Sequence, residues 1–236
     1  MIDLDRAFRI PFKDPAWTSR IGLGAVIQLV PILNFAGLGY QLEVMRCARD
    51  GDDATLPTWD NLSALFSRGA RMFVVDLIYA LPIILVFCGF YAAWFGLMFS
   101  FIPLSGGRSG PSSESILAMT TGMMAASVGF TCVFVLLYLY LLVIMILIPL
   151  TRVQMLRTGS VAACLRLGDL LRLFRQRPGE YLGASLMLAG SAYAGSLLSI
   201  LGPLLLLITP YANVVAGHVY GQLARETPAP IGPVAG

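Results

Sequence analysis

Five side chains in this sequence could do chemistry where few others can: Asn34, Glu43, Asp76, Asn213 and His218. Each lies in or beside an apolar run, where a polar or ionisable group is costly and is the first place to look for an ion, proton or substrate site. Pro31-x-x-Asn34 and Pro210-x-x-Asn213 pair a proline with an amide. Proline removes a backbone N–H and crowds the carbonyl one turn earlier, and a nearby amide can serve the freed groups. Broken helices of that kind also hold ions and substrates in transporters. A site between the two breaks, with Glu43, Asp76 and His218 near it, is the chemistry these residue types allow.

Each also has a plainer reading. Asp76 follows Arg71 by five residues and Glu43 precedes Arg46 by three, so both fit interfacial partners of neighbouring arginines. His218, the only histidine, fits a hydrogen-bonded packing residue as well as a proton or ligand site. Asn34 and Asn213 can simply satisfy backbone beside the prolines. The structural reading leads in every case. His-Glu-x-x-His, Gly-x-Ser-x-Gly, a P-loop and any cluster of histidine with acids are all missing from the sequence, so no enzyme activity, metal or cofactor is expected. Cys47, Cys88, Cys132 and Cys164 are scattered without a Cys-x-x-Cys spacing and read as buried thiols.

The elements that would position these groups follow from composition. Of 236 residues, 57% are hydrophobic and 12% charged, against about 25% charged in soluble domains. Several apolar runs exceed the roughly 18 residues of a membrane span. The expectation is one polytopic membrane domain over residues 1–226 and a disordered tail over 227–236. The first residues lack the pattern of a secretory signal.

Residues 20–49 organise the rest. Two arms, 17–30 and 34–49, would each be helices of about 21 and 24 Å, short of a hydrocarbon core of about 30 Å. One continuous helix through Pro31 would cross once; two arms turning at 31–34 would enter and leave on one side. The basic residues help to choose. With a returning first segment and four full spans, fifteen of the sixteen lie on one face, Arg108 being the other. A single crossing separates them less well, so the positive-inside tendency favours the hairpin and cytoplasmic termini. Fifteen of the sixteen are arginine, a bias that fits a GC-rich bacterial genome and carries no mechanism.

In order, residues 3–13 read as an interfacial lead-in ended by Pro11, with Leu4, Ala7, Phe8 and Pro11 on one side. Asp14-Pro15 then starts a helix and Trp17 sits at headgroup depth. Trp59, Leu62 and Phe66 predict a short surface helix. Spans follow over residues 72–101, 116–149, 180–201 and 204–223, with bends at Pro82 and Pro210. Between the second and third, Leu167, Leu170, Leu171 and Phe174 form an apolar stripe with Arg166, Arg172 and Arg175 outside it. This is an amphipathic helix suited to anionic lipid headgroups. Small residues at 190, 194, 191, 195 and 199 predict a close helix approach. Pro31, Asn34 and Arg46 recur as Pro210, Asn213 and Arg225 at one constant offset, which reads as a parallel repeat or as coincidence.

Asp14-Pro15-x-Trp17, Pro31-Ile32-Leu33-Asn34-Phe35, Gly39-Tyr40-x-x-Glu43, Leu56-Pro57-x-Trp59, Arg68-Gly69 and Tyr79-x-x-Pro82 together resemble the bacterial and archaeal membrane family termed domain of unknown function 4013. The likeness runs from residue 8 to about 90 and rests on hydropathy beyond. It implies a multi-pass membrane protein and supplies no mechanism. The expected protein is therefore an all-α integral protein of the cytoplasmic membrane, with four transmembrane helices, an N-terminal re-entrant hairpin and interfacial amphipathic helices. Its expected role is accessory or scaffold, with lipid and a second copy or another membrane protein as partners, and not nucleic acid. A small-molecule or ion transporter or channel, with its site between the two proline breaks, is the alternative.

Overall fold

The computed structural model describes residues 3–30, 32–52, 55–100, 112–198 and 205–226. Pro31, the outer loop around Arg108, the turn at Gly202-Pro203 and the tail after Glu226 lie outside them. The described residues are helical throughout their regular elements: α1 Leu4–Lys13, α2 Trp17–Gln28, α3 Asn34–Asp50, α4 Leu62–Ser100, α5 Ser113–Thr158, α6 Val161–Cys164, α7 Leu167–Gln176, α8 Pro178–Leu198 and α9 Leu205–Glu226. They form two compact units, residues 1–77 with 145–236, and residues 78–144.

In the first unit, α1 starts on Asp3, whose carboxylate accepts the Arg6 N–H at 2.9 Å. It continues past Pro11 to Lys13. Its buried residues are Ala7, Ile10 and Pro11, while Leu4 and Phe8 are exposed, so of the expected side, Leu4, Ala7, Phe8 and Pro11, only Ala7 and Pro11 pack inward. Asp3 and Gln222 exchange two hydrogen bonds, Asp3 N–H donating to Oε1 at 2.7 Å and Nε2 to the Asp3 carbonyl at 3.1 Å. The Tyr211 hydroxyl donates to the Phe8 carbonyl at 3.1 Å. Those bonds strap α1 along α9.

The α2 and α3 arms lie side by side. On one straight helix Gly24 and Tyr40 would stand about 24 Å apart, yet the Trp59 indole touches both. Its ring stacks on Tyr40 at 4.1 Å with planes 2° apart, and a Cβ added to Gly24 would come within 2.9 Å of it. Gln28 also packs over Gly37. The chain therefore turns back between Gln28 and Asn34.

Glycines let α3 sit between two neighbours. A side chain at Gly39 would strike the Leu65 carbonyl of α4, and one at Gly69 would strike the Phe35 carbonyl of α3. On the other side, Gly217 and Gly221 of α9 meet the Gln41 and Met45 carbonyls, at 2.9 and 2.6 Å from a would-be Cβ. Backbones this close are the usual reward of small residues at membrane-type helix crossings. On α8, where a close approach was also expected, a Cβ at Gly190 or Gly195 would meet nothing within 4 Å among the described residues, and Ser199 lies outside them.

Helix α4 absorbs the expected surface helix, since Leu62 and Phe66 are its first turns and it runs on through Pro82. Helix α5 likewise runs through Pro149. Their 39 and 46 residues make rods of about 58 and 69 Å. Among the described residues these two helices, over Leu62–Gly96 and Thr120–Thr158, are long and apolar enough to cross a membrane.

The second unit holds the later part of α4 and the earlier part of α5. Phe87 and Phe90 meet Phe134 and Phe130 at ring separations of 5.6 and 4.4 Å, and the Tyr140 hydroxyl donates to the Tyr79 carbonyl at 2.8 Å. Outward lie Leu85, Tyr91, Phe95, Val128, Leu136 and Tyr138, all exposed. Cys88 and Cys132 share that exposed surface, which corrects the expectation that every thiol is buried; Cys164 alone is fully buried, with Cys47 half-buried.

Candidate functional site

The five candidate residues share no single site, although all lie in the first unit. Glu43, on α3, accepts from Arg68 of α4 and lies 3.8 Å from Arg46. Its principal partner is thus a neighbouring helix, with the expected Arg46 second. The Gly39–Gly69 crossing sets this up, because it brings the two helices to backbone contact within a turn of both side chains. Leu42, Glu43, Arg46, Arg68, Arg71, Met155, Leu156 and Gly159 enclose a recess of about 110 Å³. Arg71 reaches the Gly159 carbonyl at 3.3 Å, where a left-handed φ of 63° ends α5.

Asp76 does not pair with Arg71, as its sequence position predicts. It holds Arg152 of α5 in a two-bond fork at 3.1 and 2.8 Å. The Arg152 side chain is only 7% exposed. Planar guanidinium and carboxylate match in this fork, and the arginine, which ends an aliphatic run, would otherwise be a buried unpaired charge. Arg71 was the wrong partner because helical spacing puts residues five apart on different faces, whereas α5 passes directly alongside.

His218 is 2% exposed and lines an open recess of about 420 Å³ with Asp3, Arg6, Ala48, Gln222, Arg225 and Glu226. Asn34 is exposed at the start of α3 and Asn213 is half-buried on α9. Among the described residues no hydrogen bond joins the two. Helix α9 runs unbroken through Pro210, whose ring packs against Gly24 at 3.1 Å from a would-be Cβ. The expected break at Pro210 is therefore absent, and with it the structural likeness of Asn213, in mid-helix, to Asn34, at a helix start.

Sequence reasoning missed the most connected group of all. Asp14, 1% exposed, accepts the Ala16 N–H at 2.8 Å, the Leu56 N–H at 2.9 Å and the Arg20 guanidinium. Arg20 also donates to the Leu56 carbonyl. The Trp59 indole N–H donates to the Arg20 carbonyl at 2.9 Å, and the Tyr40 hydroxyl to the Pro57 carbonyl at 3.0 Å. Burial alone would raise the Asp14 pKa, but the two backbone N–H groups and Arg20 outweigh it and hold the carboxyl below its ordinary value. The signal was present in Asp14-Pro15-x-Trp17, Gly39-Tyr40 and Leu56-Pro57-x-Trp59. These segments turn out to be one clasp that ties the loop before α4 to both arms of the hairpin.

On α7, Leu170 and Leu173 are buried, and Leu167 and Leu171 are exposed beside Arg166, Arg172 and Arg175. The expected stripe is thus divided: one part packs inward and the other faces out with the arginines. Of the acids at these sites, Asp14, Glu43 and Asp76 are each engaged by an arginine.

No curated protein and no solved structure matches the chain. A family model does match, over residues 23–207, reaching well past the stretch in which the sequence motifs lie. The chain belongs to that family, described as protein of unknown function (DUF4013).

Proposed function

We propose that this chain is a non-catalytic accessory or scaffold protein of the cytoplasmic membrane. In this reading α4, α5, α8 and α9 are the four spans, α2 and α3 a re-entrant hairpin, and both termini are cytoplasmic. The two long apolar rods support membrane insertion, the side-by-side arms support the re-entrant form, and the arginine distribution supports the orientation. Arg166, Arg172 and Arg175, with Leu167 and Leu171, would rest on anionic headgroups. The exposed surface of α4 and α5 would meet lipid and a second copy or another membrane protein.

The observation that carries the scaffold role is that Glu43 and Asp76 each hold an arginine from a distant segment. Groups used as braces keep a framework rigid, and a transport site needs groups able to exchange partners. The test places a photo-crosslinking residue at Tyr138 or Leu136, both exposed, in the full-length protein in cells. A discrete protein adduct is expected. Adducts with lipid alone, combined with solute flux in proteoliposomes that Asn34→Ala abolishes, would overturn the proposal in favour of a transporter.

A further inference from the structure

We propose that the recess between α3, α4 and the end of α5 is a binding site for a phosphate group, with the phosphate of an anionic phospholipid as its best-fitting source. Three guanidinium groups converge there, those of Arg46, Arg68 and Arg71, and the one acid in the lining is Glu43. Glu43 engages Arg68 and the edge of Arg46 through a single oxygen, Oε2, so the recess keeps a positive excess. Arg71 anchors itself on the Gly159 carbonyl, and a guanidinium has more N–H donors than these bonds use.

Capping α5 accounts for one arginine, because a cation near carbonyls at a helix C-terminus is favourable. It does not account for three. The volume of about 110 Å³ is several waters' worth, which suits a phosphate and is too small for a nucleotide. Arginine is the side chain best matched to phosphate oxygens. Leu42, Met155 and Leu156 form the rest of the lining, an apolar wall that free phosphate does not need and the glycerol and first methylenes of a lipid do. The site is distinct from the arginines of α7 and does not depend on the scaffold reading.

Native mass spectrometry of the full-length protein in neutral detergent tests it, with short-chain phosphatidylglycerol, short-chain phosphatidylcholine and inorganic phosphate as probes. The proposal predicts retained phosphatidylglycerol, at least tenfold weaker retention of phosphatidylcholine, and at least a tenfold loss of phosphatidylglycerol in Arg46→Gln/Arg71→Gln. Leu156→Glu, which leaves every arginine in place, should lose it equally. Competition by inorganic phosphate at millimolar concentration would support the phosphate group as the whole determinant; its failure to compete would support the lipid as the source. Unchanged binding in both variants, or a loss confined to Arg172→Gln/Arg175→Gln, would overturn the site.

Discussion

Arg152 and Asp76 face each other across α5 and α4 in a fork of 3.1 and 2.8 Å, with the arginine nearly sealed from solvent. Removing one partner of such a pair leaves a charge without compensation, at a cost of about 3 kcal/mol or more. Asp76→Ala should lower the thermal unfolding midpoint in detergent by several degrees. Asp76→Ala/Arg152→Leu should recover more than half of that loss, because it removes the stranded charge as well. Equal loss in the single and double variants would show that packing, and not the pair, is responsible.

The clasp around Asp14 makes a pH prediction with a definite sign. Its carboxyl is held below the ordinary aspartate value, so the stabilisation is fully present above about pH 4 and is lost as pH falls through the lower folded-state value. Asp14→Asn should cost about 2 kcal/mol near neutral pH, in the range of hydrogen bonds to a charged group. The gap between variant and native chain should close on acidification below pH 4. A gap independent of pH down to pH 2 would contradict the charge-based account.

Glycine positions give a contrast within one protein. Gly39→Ala and Gly69→Ala each put a methyl onto a backbone carbonyl of the neighbouring helix, which can be relieved only by separating α3 from α4. A loss of about 3 kcal/mol or more is expected for each, at the upper end of overpacking costs. Gly22→Ala meets open space on α2 and should be neutral or stabilising by less than about 1 kcal/mol. Thermal midpoints of the three variants, measured side by side, check the difference.

The stacked pair of Trp59 and Tyr40 should divide into area and hydrogen-bond parts. Trp59→Phe keeps a ring but loses the bond to the Arg20 carbonyl, at about 1 kcal/mol. Trp59→Ala also empties the space over Gly24 and should cost about 3–5 kcal/mol. Denaturation in mild detergent, followed through the tyrosine and remaining tryptophan fluorescence, would rank them.

Much of the fold could be read from the chain because membrane composition is a bulk property. The apolar runs of α4 and α5 are unmistakable, and the two short arms with arginines at their ends already called for a turn near Asn34. The paired acids were half legible: Glu43 and Asp76 were expected to meet arginines, but only adjacency in sequence was available to choose them. Arg152 reaches Asp76, and Arg68 reaches Glu43, because separate helices pack together, and a glycine such as Gly39 does not name in the sequence the helix it will meet. The clasp was hidden for the same reason. Asp14, Tyr40 and Trp59 are ordinary residues until three segments converge, with Gly24 leaving room for the Trp59 ring.

The central claim is that α2 and α3 enter and leave the membrane on the cytoplasmic side. Replacing Cys47, Cys88, Cys132 and Cys164 with serine or alanine and introducing Asp52→Cys, an exposed position between α3 and α4, allows a direct measurement with a membrane-impermeant maleimide on intact cells. Ser109→Cys, next to Arg108 and between α4 and α5 in the proposed topology, serves as the outward control. The account predicts that Asp52→Cys is labelled only after the membrane is opened, while Ser109→Cys is labelled at once. Prompt labelling of Asp52→Cys from outside would place the linker on the opposite face and contradict it.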